Sequence, residues 1–322
     1  MSRLHTPVCR LLGISFPIVQ AGMATHTTPE LVAAVSEAGG MGIIGGLGRT
    51  RDELRDEIRR VRELTSEPFG VNHVVCHIDQ AAVQMTLAQR VSVLSLSWGR
   101  APELTYQAHE AGIKVIHMVT TPEEAGQVAS DGADVIVAQG TEGGGHVGMM
   151  STLPLVPQVV DVVGGVPVLA AGGIADGRGL AAAIMLGAQG VLMGTRFLAT
   201  PEARSRGRMK DVILNALGSQ TLTSKFYDDV KGQVWPGATV RMINHPLLEE
   251  WVGRPNEWTL AADQLRPSLE AALSAGDLVL AGESAGLIHE IVPAGALVDR
   301  IVRQAEALLG DPDDPMFTPA RG

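Results

Sequence analysis

Short runs of β-branched and aliphatic residues recur along the first two thirds of the chain. Each closes on Gly, Asn or another polar residue, and each is followed by an Ala-, Glu- or Arg-bearing stretch with helical spacing. Eight such runs stand out, at 17–23, 40–46, 69–75, 91–98, 114–119, 134–139, 166–172 and 189–197. They are apolar on both faces, as strands of a covered parallel sheet should be, and their spacing leaves room for one crossover helix between neighbours. The pattern predicts an α/β protein folded as a (βα)8 TIM barrel. An open doubly wound sheet fits less well, because its Gly-rich turn follows the first strand and here the Gly-rich turns come late.

The intervening stretches carry start and stop signals. Thr28-Pro29-Glu30 and Thr121-Pro122-Glu123 each set Pro at the first helical position behind a Thr cap, with an acidic residue at the positive helix end. Gly39, Gly112 and Gly132 close three similar helix endings ahead of a new strand. The barrel is thus predicted over 1–200. Beyond it no strand period is visible, and 201–280 reads as an appended helical segment, an insertion or lid that crosses the barrel mouth or meets a partner. A closing amphipathic helix returns to the barrel within 281–310, and 311–322 reads as a flexible tail.

Composition narrows the class. Of 322 residues 45% are apolar and 19% charged, enough for a large core and too little charge for a disordered chain. Aromatics are only 3% and Gly numbers 38, so the core must be aliphatic with close backbone approaches. A net charge of −10 without a basic cluster argues against nucleic acid. Cys9 and Cys76 lack C-x-x-C spacing, which speaks against a disulfide framework or zinc and suits a reducing compartment. No secretory leader is visible, and the most apolar stretch, 166–198, is broken by Asp176, Arg178 and glycines. A cytoplasmic protein without a membrane partner is expected. The charged stretch RTRDELRDEIRRVREL reads as a solvated helix face.

Chemistry concentrates at the ends of the predicted strands. After the sixth run comes Gln139-Gly140-Thr141-Glu142-Gly143-Gly144-Gly145-His146-Val147-Gly148, where adjacent glycines permit unusual backbone angles or close passage against a ligand. A histidine there can accept or donate a proton at neutral pH. The plainer alternative is a flexible loop with a surface histidine. Ala171-Gly172-Gly173 and Gly194-Thr195 end the seventh and eighth strands, where backbone N–H groups of such barrels commonly hold phosphate, although a Gly pair can simply let a strand meet a helix. Gly22-Met23 ends the first strand, and Asn72 lies in the third, where a buried amide needs partners. Met23 alone could equally be core. His73 and His77 lack the helical context and carboxylates of a metal pair, so no metal is expected. His26 could line the pocket, His117 could face either the barrel or its helices, and Trp235, Trp251 and Trp258 read as packing residues. No dinucleotide G-x-G-x-x-G turn is visible.

In order and spacing, PIVQAGMA, PFGVN, AQGTEGGGHVG, VLAAGGIADGRG and MGTRFLAT resemble the FMN-dependent nitronate monooxygenase family, and AGESAG near residue 283 continues the likeness more weakly. The resemblance implies FMN at the C-terminal ends of the barrel strands. Its phosphate would lie near Ala171, Gly172, Gly173, Gly194 and Thr195, and its ring near Gly22, Met23, Asn72 and Gln139, with Gly144 and Gly145 in the loop. His146 falls on the family's catalytic histidine, and the implied substrates are a small nitronate and O2, with self-association left open. Val147 stands where many family members carry Arg, and an apolar residue there is also similar to the FMN-dependent enoyl-acyl-carrier-protein reductases. An NADH-dependent reductase of enoyl thioesters or quinones is therefore the alternative. A non-catalytic flavin-binding or assembly barrel is a third. The nucleotide dehydrogenases that share a similar glycine site need a cysteine in the loop after the sixth strand, and this loop has none.

Overall fold

The computed structural model describes residues 3–310. Eight parallel strands form a closed barrel: β1 (Ile18–Gln20), β2 (Met41–Gly45), β3 (Phe69–Val74), β4 (Val93–Ser97), β5 (Lys114–Val119), β6 (Val135–Gln139), β8 (Val168–Ala171) and β9 (Gly190–Met193). Closure comes from β9 pairing with β1, Val19 opposite Leu192. Each predicted run carries one of these strands, and the (βα)8 expectation holds. The eighth run is shorter than expected, because Thr195–Leu198 turns helical. The remaining strand of this region, β7 (Gly145–Val147), stands off the barrel.

Side-chain alternation sorts the core into layers. Val19, Met41, Ile43, Val93, Ile116, Val135, Val137, Leu169 and Ala171 fill the interior, and the helix Pro7–Leu12 closes one end with Val8, Cys9 and Leu12. Ile44, Val71, Leu94 and Leu96 face the outer helices instead. The same alternation continues inward at Asn72, next to outward Val71, and at Gln139, two residues beyond Val137. The helix signals act as read: Leu31 N donates to Thr28 Oγ1 at 3.0 Å and Glu124 N to Thr121 Oγ1 at 3.2 Å. Gly42 lets a helix lie directly on β2, where a Cβ would stand 2.4 Å from Val32 O.

The expectation for 201–280 needs correction. The segment does supply helices, Met209–Asn215, Phe226–Lys231, Pro246–Glu249, Pro255–Leu260 and Ala262–Ala275, but also two strands, β10 (Thr221–Ser224) and β11 (Thr239–Ile243). These pair antiparallel with one another, and β11 pairs with β7, setting Val240 opposite His146. Their period is masked in the sequence because β10 is half-exposed and β11 buries a charged residue, Arg241, 8% exposed. Phe226, Val230, Val240, Met242, Trp258 and Leu269 give this segment its own small core. The closing helix is Ala294–Leu309, which packs on Gly177–Met185. The tail predicted at 311–322 lies outside the described residues. Among the described residues, no helix is long and apolar enough to cross a membrane.

Candidate active site

Parallel barrels present their strand ends and following loops at one rim, and the predicted residues gather there. Gln139 ends β6 on the inward face, and its Oε1 is buried without a hydrogen-bond partner among the described residues. Three strands away, on β3, Asn72 Nδ2 donates to Ser95 O at 3.3 Å and Ser95 Oγ at 3.2 Å, so this amide is anchored to β4. Gly22 lies against it, since a Cβ there would stand 2.7 Å from Asn72 Cβ. Met23 reaches across to β9, its Sδ 3.6 Å from where a Cβ on Gly194 would be. The ends of β1, β3 and β9 are thus brought into contact by absent side chains.

Gly172 and Gly173 follow β8 with φ of +99° and +74°, conformations that L side chains rarely adopt. A Cβ on Gly172 would also meet Gly140 O at 2.8 Å and Thr152 Oγ1 at 2.9 Å. Ala171 is buried just before them, its carbonyl accepting from Gly140 N at 2.9 Å. Thr195 is 7% exposed, and its hydroxyl accepts from Gly282 N at 3.0 Å. The AGESAG stretch therefore docks on the rim.

The loop from 140 to 148 is tied down rather than loose. Glu142 accepts from Thr152 N and Oγ1 at 2.9 and 2.8 Å through one carboxylate oxygen, and its backbone carbonyl accepts from Glu283 N at 3.0 Å. Arg241 donates from Nε to Thr141 O at 2.8 Å and pairs with Glu283 at 3.1 Å. Gly144 serves packing: a Cβ there would stand 2.5 Å from Gly282 N. Gly145, at φ +75°, has open space where a side chain would be.

This clamped loop and β7 deliver His146. Its Nε2 donates to Asp228 Oδ1 at 3.0 Å, its side chain retains 12% exposure, and its Nδ1 has no hydrogen-bond partner among the described residues and is not fully buried. Trp235 lies flat against the ring, with centroids 3.5 Å apart and planes 15° from parallel. His77 and Trp98 pack on Trp235 in turn, at 4.6 and 6.1 Å. Trp235 was expected to pack within the appended segment. It instead covers the predicted catalytic histidine. Burial pushes the nearby Cys76 thiol up, as does the Asp228 carboxylate, so Cys76 is held as a neutral thiol.

Of the other histidines singled out above, His117, His26 and His73 are held by contacts within the protein. His117 Nε2 lies 2.8 Å from Gly99 O and His26 Nδ1 2.9 Å from Arg204 O, and burial lowers both pKa values. Burial lowers that of His73 to about 4. Two residues that shape the rim were not singled out from the sequence. Asp228 lies 82 positions from the histidine it binds, without a local signal. Arg49 was read as part of a solvated face, yet it is 7% exposed, donates to the carbonyls of Ala24, Gly45 and Thr27, and pairs with Glu57 at 2.7 Å. It staples the loops after β1 and β2, and the glycines just ahead of it were the available clue.

Comparison with known proteins follows the same lines. The sequence pattern of the nitronate monooxygenase family matches residues 5–81 and 75–304. A probable nitronate monooxygenase of Staphylococcus aureus (strain MSSA476) is 34% identical over 353 aligned positions, covering 93% of this chain and 97% of that protein. Among solved structures, FabK from Thermotoga maritima superposes with a TM-score of 0.81 at 36% identity, covering 94% of this chain and 96% of that one. Nitroalkane oxidase from Streptomyces ansochromogenes superposes with a TM-score of 0.79 at 28% identity, covering 94% and 99%.

Proposed function

Since the chain belongs to the nitronate monooxygenase family, we propose that this oxidoreductase holds FMN at the barrel rim and oxidises small nitronates, or the nitroalkanes that yield them, with O2. The buried, unpaired Oε1 of Gln139 carries the reading, because a buried acceptor without a partner costs free energy unless a bound group satisfies it. The residues fit a flavin nucleotide. Gly172, Gly173, Gly194 and Thr195, with Ala171, would hold its single phosphate at the ends of β8 and β9. Gly22, Met23, Asn72 and Gln139 would hold the ring, the two amides offering both donors and acceptors to its heteroatom edge. When bound, the flavin supplies the acceptor for electrons leaving the nitronate and their donor to O2.

The chain's own residues then bind, orient and move a proton. His146, as neutral imidazole, takes the α-proton of a neutral nitroalkane at Nδ1; as imidazolium it pairs with the nitronate oxygens. Trp235 and Trp98 exclude water from its surroundings. His146→Gln is expected to retain flavin and lose about 10²–10⁴-fold in nitroalkane turnover, the usual contribution of a general base. Unchanged turnover overturns the assignment.

One observation favours a second reading. The residue after His146 is the apolar, fully buried Val147, which is compatible with an NADH-dependent reductase of enoyl thioesters or quinones. Anaerobic mixing separates the two: rapid bleaching of the flavin by NADH supports the reductase, and bleaching only by a nitronate supports the first reading. We propose a cytoplasmic site of action, supported by the two free cysteines, which suit a reducing compartment.

A further inference from the structure

The groups around the His146 ring come largely from a part of the chain that adds nothing to the barrel. Residues 225–238 connect β10 to β11, and because β11 pairs with β7 this connection folds over the histidine. It contributes Asp228 from the helix Phe226–Lys231, then Trp235 from the return to β11, while the Tyr227 ring lies edge-to-face with the imidazole at 6.4 Å between centroids. Asp228 is 5% exposed, and the His146 contact at 3.0 Å is the hydrogen bond its side chain makes among the described residues. The flat contact with Trp235 prevents the imidazole from turning about its own bond without displacing the indole.

From these contacts we infer that Asp228 is the positioning residue of His146: it fixes the neutral imidazole as the Nε2–H tautomer and leaves the Nδ1 lone pair as the proton acceptor. This rests on the reading of His146 as the base. A carboxylate only accepts, so a 3.0 Å contact with a neutral ring requires the proton on Nε2; the other tautomer would oppose two lone pairs across a largely buried contact. Nδ1 is the nitrogen that has no hydrogen-bond partner among the described residues and is not fully buried. When the α-carbon gives up its proton, the C–H electron pair stays on the substrate as the nitronate and Nδ1 gains the hydrogen. The resulting imidazolium then forms against a carboxylate already in place. Stabilisation that appears as charge develops lowers the barrier without tightening substrate binding. Burying a carboxylate beside a single partner is a poor way to stabilise a fold, which weighs against a purely structural clip.

The test uses the full-length, flavin-loaded protein with ¹⁵N-labelled histidine, His146 being assigned by the signals lost in His146→Gln. Long-range ¹H–¹⁵N spectra of the wild type should show the Nε2–H tautomer, with a mixture in Asp228→Ala. Turnover of a neutral nitroalkane should fall about 10²-fold in Asp228→Ala with KM within about twofold, whereas a preformed nitronate, which has no α-proton to lose, should lose less than about tenfold. Asp228→Asn, whose amide oxygen can still accept from Nε2–H, should restore the tautomer and part of the rate. A wild-type Nδ1–H tautomer overturns the inference, as does an equal loss on both substrates in Asp228→Ala, the mark of a structural clip. Should Asp228→Ala fail to fold, the wild-type spectrum and Asp228→Asn decide. Full nitroalkane turnover in His146→Gln removes the base reading itself. Loss in that variant with an unaffected Asp228→Ala removes only the role of Asp228.

Discussion

Trp235 and His146 are stacked ring on ring, 3.5 Å between centroids, while the indole Nε1 has no hydrogen-bond partner among the described residues although it is buried. The stack and the unpaired N–H pull in opposite directions, since the first contributes contact and the second sacrifices hydration.

Two substitutions separate these contributions. Trp235→Phe keeps a ring over the imidazole and removes the unpaired donor, so stability should stay level or rise by up to about 1 kcal/mol. Trp235→Ala removes the contacts to His146, His77 and Trp98 and should cost about 3 kcal/mol, with nitroalkane turnover down about tenfold as the ring loses its fixed orientation. Urea denaturation and steady-state rates check both. If Phe is as damaging as Ala, the indole N–H has a partner in the working enzyme.

Gln139 supports a prediction in which stability and binding diverge. Its amide makes no hydrogen bond among the described residues, and its Oε1 is buried. Gln139→Leu should therefore leave the flavin-free protein as stable as the wild type or slightly more so, while flavin affinity falls about tenfold or more for the loss of one ring hydrogen bond. Denaturant titration of the flavin-free protein and fluorescence titration with FMN measure the two effects. Equal losses in both would show that the amide is a structural group.

The barrel was legible because its information is local. Each strand is a run of three to six mostly apolar residues, and each helix start or stop sits within two or three residues of the signal that makes it, as at Thr28 and Gly39. The glycines of the rim were legible for the same reason, being adjacent in sequence at Gly172-Gly173. The environment of His146 was not. Asp228 and Trp235 reach it only because β11 pairs with β7, a contact between distant segments whose short strands carry no clear period. Arg49 was misread because a charged residue next to a charged helix looks solvated until its neighbours' carbonyls are placed around it.

A matched pair of glycines tests the rim. Gly172 and Gly165 have nearly the same φ, +99° and +97°, so Ala carries a similar backbone cost at each, about 1 kcal/mol or somewhat more. A Cβ at Gly165 meets nothing within 4 Å, whereas at Gly172 it presses on Gly140 O and Thr152 Oγ1. Gly172→Ala should therefore be the more destabilising by about 1–2 kcal/mol and should lose its flavin, and Gly165→Ala should keep it. The visible absorbance of the purified variants and their thermal midpoints supply the comparison; flavin retained at full occupancy in Gly172→Ala would place the phosphate elsewhere.

Acid should weaken the fold through His73. The side chain is 4% exposed and its Nε2 lies 2.9 Å from Thr86 Oγ1, whose own hydrogen goes to Ala82 O, so His73 is the donor. Burial lowers its pKa from 6.5 to about 4, against a weaker opposing effect of Asp79. A folded pKa below the unfolded one means that the unfolded chain binds the proton first. The stability this residue contributes is thus complete above pH 6.5 and is lost as the pH falls towards 4. By pH 5 the loss amounts to about 2 kcal/mol, and the buried His117 and the half-buried His26, also lowered, act in the same direction. Denaturant unfolding of the wild type and His73→Gln at pH 7.5 and pH 5 measures it, on an expected gap of about 2 kcal/mol that narrows at the lower pH because Gln has no proton to take up. A gap that stays constant across that range would mean that His73 is not the residue on which the acid sensitivity rests.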